Sequence, residues 1–321
     1  MKNKPIIIVA GEPFSVFLEI FFKSIQTNNF KKPIILIVSK KLLIKQMKVL
    51  NFDFKINDIK NDMSNLHKLN NKKINIINVN FKFNKAFDKI SNNSNKYINN
   101  SFNIALDLLK KYKCSGLING PISKKNFLKR KFLGITEYLA NQLNRKNKVA
   151  MLIFNKKLSV SPITTHLPLK QVHKHLDKNK IINHVKLINE FYKKKFNKKP
   201  KIAITGLNPH CESNYQSSEE DKVIRPAIKS LNKLKFMVQG PFPGDTIFIK
   251  ENLKKYDVII GMYHDQVLTP LKALFGFDAI NITLGLPFIR ISPDHGPNER
   301  MLGKNLSNPM SLTKALKFLD K

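Results

Sequence analysis

The stretch Tyr256–Gly296, YDVIIGMYHDQVLTPLKALFGFDAINITLGLPFIRISPDHG, decides how the chain is read. Its opening run, Val258–Met262, is apolar, strand-length, and stops on Tyr263, His264 and Asp265. Open α/β sheets place their chemistry at such carboxyl ends, where loops leave the packed core. Residues 266–275 follow with helical spacing at Val267, Leu271 and Leu274, and Lys272 projects from the same element. A second apolar run, Ala279–Leu284, carries Asn281 and Thr283 and breaks at Gly285 and Pro287. Arg290, Ser292, Asp294 and His295 come next. Core packing accounts for the apolar residues but not for this series of polar groups at strand ends. The stretch therefore reads as half of an active site.

Outward from it, strand patterns occur at Pro5–Ala10, Pro33–Ser39, Ile74–Val79, Gly116–Asn119, Val149–Phe154, Ser159–Thr164 and Ile202–Leu207. Helical patterns lie between many of them, as at Asn103–Tyr112 and Ile181–Phe196. The latter sets Ile181, Val185, Ile188 and Tyr192 on one face against Lys on the other. Strands alternating with helices predict an α/β fold with a mainly parallel sheet covered on both sides. Residues 84–100 are rich in Asn and Lys and read as a loosely held loop.

The polar punctuation carries the functional argument. Gly120-Pro121-Ile122-Ser123-Lys124 reads as a strand end running into a helix, with Pro121 suited to the first helical position. Backbone N–H groups at such a turn can hold an anion, and an ordinary turn explains it equally well. Thr136, in Gly134-Ile135-Thr136-Glu137, reads as a helix cap. His173, His175 and His184 fall on helices among Lys and read as solvent-facing. Gly240-Pro241-Phe242-Pro243-Gly244-Asp245-Thr246 reads as a rigid turn presenting Asp245. Three more histidines, His166, His210 and His264, each follow a separate strand. One histidine at a strand end is more often a hydrogen-bonded structural residue. Three imidazoles leaving an open position form the pattern of a catalytic divalent metal.

With 321 residues the chain has room for two domains or one large α/β unit. No run of roughly 18 apolar residues occurs, so no membrane helix is expected. Cys114 and Cys211 cannot form a disulfide framework, which fits a reducing cytoplasm. The net charge of +35 invites a nucleic-acid reading. Against it, the charge is nearly all Lys, with Arg only at 130, 145, 225, 290 and 300, and Arg is the residue that reads bases. The Lys is dispersed with abundant Asn and Ile, as compositional drift on solvated faces would leave it. Such a field still attracts anionic substrates.

Taken together, GEP near the start, GPISK, THLPL, GLNPH, PGDTIF, YHDQ and NITLGLPFIRISPDHG strongly resemble the 4-hydroxythreonine-4-phosphate dehydrogenase family of pyridoxal phosphate biosynthesis. The resemblance runs from Gly11 to about Gly303. It implies a fold like isocitrate and isopropylmalate dehydrogenases: two α/β/α domains with a central mostly parallel sheet and an interdomain cleft. The domains are expected at 1–125 plus about 275–321, and at about 126–274. It also implies a homodimer with shared active sites. Residue by residue it implies a metal on His166, His210 and His264, and substrate contacts at Thr136, Lys272, Asn281 and Arg290. Asp245 and Asp265 match acidic positions beside the metal, where they would orient imidazoles or move a proton, and Lys272 joins them among the catalytic groups.

The implied reaction is NAD- or NADP-dependent oxidation of 4-phosphooxy-L-threonine, then decarboxylation of the β-keto acid, with a divalent metal such as Zn, Mg or Co. Three departures stand out. Phe14-Ser15-Val16-Phe17 replaces a glycine-rich continuation of the first motif, Ile135 stands where the family has His, and Pro297-Asn298-Glu299-Arg300 replaces Thr-Ala. Ile135 lends weight to a related substrate such as 4-phosphoerythronate. A non-catalytic nucleic-acid-binding protein is the remote alternative, and it leaves the three strand-end histidines unexplained.

Overall fold

The first strands are apolar on both faces, as strands buried within a parallel sheet require. Ile6–Val9 (β1) and Ile34–Val38 (β2) have no exposed residue. The computed structural model describes residues 4–59, 69–128, 131–132, 134–146, 148–212, 218–276, 278–293 and 296–321. Their contacts divide into two units, Met1–Tyr138 with Pro287–Lys321, and Leu139–Leu286.

The first unit contains β1, helix α1 (Phe17–Gln26), β2, α2 (Lys40–Val49), β3 (Ile56–Asp58), β4 (Ile74–Asn78), α3 (Asn95–Lys111), β5 (Gly116–Asn119) and the first turn of α4 (Ile135–Gln142). The second contains β6 (Ala150–Phe154), β7 (Ser159–Thr164), α5 (Lys178–Phe196), β8 (Ile202–Thr205), α6 (Arg225–Lys233), β9 (Val238–Phe242), α7 (Lys250–Leu253), β10 (Val258–Tyr263), α8 (His264–Phe275) and β11 (Ile280–Leu284). The chain then returns to the first unit with β12 (Arg290–Ser292) and α9 (Met310–Asp320).

Strands of the first unit pair in the order β3-β4-β2-β1-β5-β12, parallel throughout. Those of the second pair as β11-β6-β7-β10-β8-β9, antiparallel at β11–β6–β7 and parallel from β7 to β9. The mainly parallel α/β architecture is as expected. No helix among the described residues is long and apolar enough to cross a membrane.

The unit boundaries fall further along the chain than expected. Tyr138 packs on Phe102 of α3, with ring centroids 5.9 Å apart, and donates its hydroxyl to Asn99 at 2.8 Å. That ties the start of α4 to the first unit. At the other boundary β11 pairs along its whole length with β6, which keeps Ile280–Leu284 in the second unit.

Several local expectations change. Within residues 84–100, Asn95 onward is helical, because Tyr97, Ile98, Phe102, Ala105 and Leu108 form a buried stripe and the Asn residues occupy other positions. No helix starts at Pro121. Its carbonyl accepts from the Glu12 N–H at 2.8 Å, and only a turn forms at 124–127. Strands β3, β9 and β12 are too short or too polar to show alternation, and β9 tolerates Pro241 because it is an edge strand. Leu274 is 45 % exposed, and the apolar face of α8 is built from buried Val267 and Leu271 with Leu268 and Phe275 packed partly buried beside them.

His184 is buried, contrary to its expected place in solvent, because α5 turns it inward with Ile181, Val185 and Ile188. Burial, then the nearby Lys180, depresses its pKa to about 4, against which a hydrogen bond with the Pro162 backbone pulls upward. The helix is held at its start by Asp177, whose carboxylate accepts from Lys180 N at 2.9 Å. It stops at left-handed Asn197.

Candidate active site

In the second unit β10 lies between β7 and β8 and runs parallel to both, so the three carboxyl ends sit side by side. His166 follows β7, His210 follows β8, and His264 follows β10 directly as the first residue of α8. Parallel pairing thus brings to one sheet edge three residues separated widely in sequence. The rings of His166 and His264 have centroids 6.1 Å apart. His264 Nδ1 is 2.7 Å from the Asp265 carboxylate, which fixes the ring and leaves Nε2 as its outward nitrogen. Asp245 is exposed in the turn after β9.

Among the described residues, no three His, Cys, Asp or Glu side chains gather closely enough to hold a metal ion. His166 and His264 are brought together; His210 is not drawn into a three-ligand group with them. Two neighbouring imidazoles with a carboxylate behind one of them are donors of the kind a divalent metal takes. His210 is the third imidazole on the same edge. It adopts φ +56°, and Cys211 after it φ +58°. Side chains with a Cβ enter this left-handed region at a cost of roughly 1–2 kcal/mol each. Backbone held this way is a feature of functional loops.

Two residues that sequence reasoning passed over build this edge. Gln266 Oε1 accepts from Met262 N at 2.7 Å and from Thr205 Oγ1 at 3.0 Å, and its Nε2 donates to the Gly206 carbonyl at 2.8 Å. One amide therefore staples the end of β10 to the end of β8. Glu220, in a π-helical turn ahead of α6, is fully buried and accepts from Leu207 N at 2.7 Å and Asn208 N at 2.9 Å. Burial would raise its carboxyl pKa, but the hydrogen bonds from Asn208 and Leu207 outweigh it and hold the group ionised below the usual range. It anchors the loop that carries His210. Gly206 leaves room for this anchor, since a Cβ there would lie 2.7 Å from Cys211 Sγ and 2.9 Å from Glu220 Oε1 and would displace those side chains. The only trace of either anchor in the sequence is Gln266 directly after the His264-Asp265 pair.

Of the remaining expected residues in this unit, Lys272 is exposed on α8. Asn281 faces its Oδ1 into a buried position without a hydrogen-bond partner among the described residues, an acceptor that a ligand donor would satisfy. Asp294 and His295 lie outside the described residues.

In the first unit Arg290, on β12, is completely buried. It donates from Nε to Asn119 Oδ1 at 2.8 Å and from Nη1 to Thr136 Oγ1 at 3.0 Å. Thr136 is thus inside the first turn of α4 and serves Arg290; it does not cap the helix. Burial lowers the Arg290 pKa to about 10, and the Glu137 carboxylate opposes that shift. The guanidinium stays charged at neutral pH. Ile135, half-buried, opens the same helix. Elsewhere in this unit the Val16 N–H donates to the Pro297 carbonyl at 3.1 Å, so two of the segments that depart from the family pattern touch each other.

Adjacent parallel strands with a histidine after each of three carboxyl ends place the second unit in the class of α/β folds that carry enzyme chemistry at strand ends. The family model for pyridoxal phosphate biosynthetic protein PdxA matches residues 29–319, and the chain belongs to that family. It is 39% identical over 318 residues to 4-hydroxythreonine-4-phosphate dehydrogenase of Sulfurihydrogenibium sp. (strain YO3AOP1), covering 97% of this chain and 96% of the relative. Crystal structures of 4-hydroxythreonine-4-phosphate dehydrogenases from Klebsiella pneumoniae and Burkholderia phymatum share the fold. The first has TM-score 0.86 at 24% identity, covering 98% of each chain. The second has TM-score 0.83 at 25% identity, covering 99% of this chain and 98% of that one.

Proposed function

We propose that the chain oxidises 4-hydroxythreonine-4-phosphate with NAD or NADP and decarboxylates the β-keto acid that results. The observation carrying this reading is the alignment of His166, His210 and His264 at the carboxyl ends of three adjacent parallel strands. Family membership supports it, as does the dehydrogenase named among its relatives.

His166, His210 and His264 would hold a divalent ion, which when bound polarises the substrate alcohol, lowers its pKa and withdraws electrons as carbon dioxide leaves. A bound nicotinamide nucleotide would supply the acceptor for the hydride of the carbinol carbon. Arg290 and Lys272 supply cationic donors to the phosphate or carboxylate, with Thr136 and Asn281 completing the polar contacts. The alcohol proton passes to a carboxylate, for which Asp245 and Asp265 are the assigned groups, Asp265 already lying on His264. The enzyme works in the cytoplasm as a homodimer with shared sites, as the family resemblance implies.

The test is the appearance of reduced nicotinamide on adding 4-hydroxythreonine-4-phosphate, with and without chelator, beside 4-phosphoerythronate as rival substrate. Reduction with the first substrate that chelator stops and metal restores is the expected result. Turnover of 4-phosphoerythronate alone would transfer the same chemistry to that substrate, the outcome Ile135 would favour.

A further inference from the structure

A guanidinium withdrawn wholly from solvent needs acceptors in place of the water it has lost, and their positions decide where its remaining donors point. For Arg290 one of those acceptors is Asn119, the last residue of β5 and only 1 % exposed. Asn119 Oδ1 takes the Nε donor at 2.8 Å and Thr136 Oγ1 takes Nη1 at 3.0 Å. Bonds to two different nitrogens of a planar group fix its plane, so the fork cannot rotate about its terminal side-chain bonds. Asn119 is fixed in turn. Its Nδ2 donates to the Gly120 carbonyl at 2.8 Å, and since arginine has no acceptor, only the amide oxygen can face Nε. Gly120 holds the end of β5 hard against β1: a Cβ there would lie 2.1 Å from the Ala10 carbonyl oxygen and 2.8 Å from the Phe17 ring. Neither sequence position nor the family resemblance singles out Asn119.

We propose that Asn119 is a positioning residue of the reaction, setting the angle at which Arg290 presents its fork to the anionic group of the substrate. The proposal rests on the assignment of Arg290 to substrate binding. Asn119 itself touches no substrate. Its effect is to remove the rotamer freedom that an unanchored arginine would lose only on binding. Glu137 has the separate task of opposing the effect of burial on the Arg290 charge. Orientation and charge are therefore supplied by different residues.

The experiment is a double-mutant cycle of Asn119→Ala with Arg290→Lys, run on the full chain. Asn119→Val accompanies it, because a β-branched side chain keeps the strand preference and most of the volume while removing the acceptor. In the wild-type background each Asn119 variant should raise KM for the phosphorylated substrate about tenfold, the scale of one hydrogen bond to a charged group. kcat, and KM for the nicotinamide nucleotide, should stay within about twofold. In the Arg290→Lys background, where no Nε donor exists, the same substitutions should add less than about twofold. An equal rise in both backgrounds, or a rise in the nucleotide KM of the same size, would show a merely structural role and overturn the proposal. An unchanged KM in the Asn119 variants, with Arg290→Lys impaired, overturns it alone. An unchanged KM in Arg290→Lys removes Arg290 from the substrate site and overturns both readings.

Discussion

The first unit buries a charge and the second exposes its reactive groups, and the two solve opposite problems. Arg290 lies at 0 % exposure, with Asn119 and Thr136 on its donors and Glu137 opposing the loss of its charge. His264 is partly exposed, His166 and His210 are exposed, and what surrounds them holds backbone. Gln266 and Glu220 stitch strand ends and loop amides, so the edge is rigid where the rings themselves are reachable. The second unit does bury one histidine, His184, and keeps it neutral. A buried cation must be bonded in advance to remain a cation, whereas a metal ligand must keep a nitrogen for the metal. The difference teaches which residues are expected to tolerate change least.

The largest effect is expected at the exposed edge. His210→Ala should lower kcat/KM a thousandfold or more, about 4 kcal/mol, while the urea midpoint moves little because the ring is at the surface. Turnover near wild type in metal-stripped variant would remove His210 from the chemistry. The buried histidine breaks the comparison the other way, through stability alone. His184 titrates near 4 when folded and near 6.5 when unfolded, so between those values the unfolded chain binds more protons. The stability from its neutral form is complete above pH 6.5 and is lost as pH falls toward 4. Relative to His184→Leu, the native chain should lose on the order of 3 kcal/mol across that window. Urea titrations at pH 7.5, 5.5 and 4 measure it, and parallel pH profiles for the two proteins would contradict the assignment.

Gln266→Met tests whether the exposed edge depends on its backbone staple. It removes three hydrogen bonds, and about 2 kcal/mol of stability should go with them. Activity should fall as well, since the carboxyl ends of β8 and β10, two of the strands that histidines follow, lose their side-chain staple and keep only the backbone ladder. Wild-type kinetics in a destabilised protein would show that the ligand edge holds its shape without the amide. The smallest effect is expected at Ile135. If Arg290, Thr136 and Lys272 suffice to hold the substrate anion, Ile135→His changes kcat/KM by tenfold or less, about 1.4 kcal/mol. A hundredfold rescue of poor wild-type turnover would instead mean that Ile135 reshapes the substrate pocket.

Much of this was open to reading in the residues alone. Apolar runs of strand length alternating with helical stripes determine an α/β fold, because buried parallel strands have no polar face to carry. Histidines that follow three such runs are legible for the same reason: a strand's end is visible where its apolar run stops. Tertiary structure decided the rest. That β7, β10 and β8 are neighbours is a matter of strand order, which local pattern does not encode, and only it brings His166, His210 and His264 to one edge. Thr136 reads as a cap until Arg290, far along the chain, arrives at its hydroxyl. His184 reads as solvated among lysines until α5 turns it inward. Periodicity reports a residue's face on its own element, and a hydrogen bond between distant residues has no period to report.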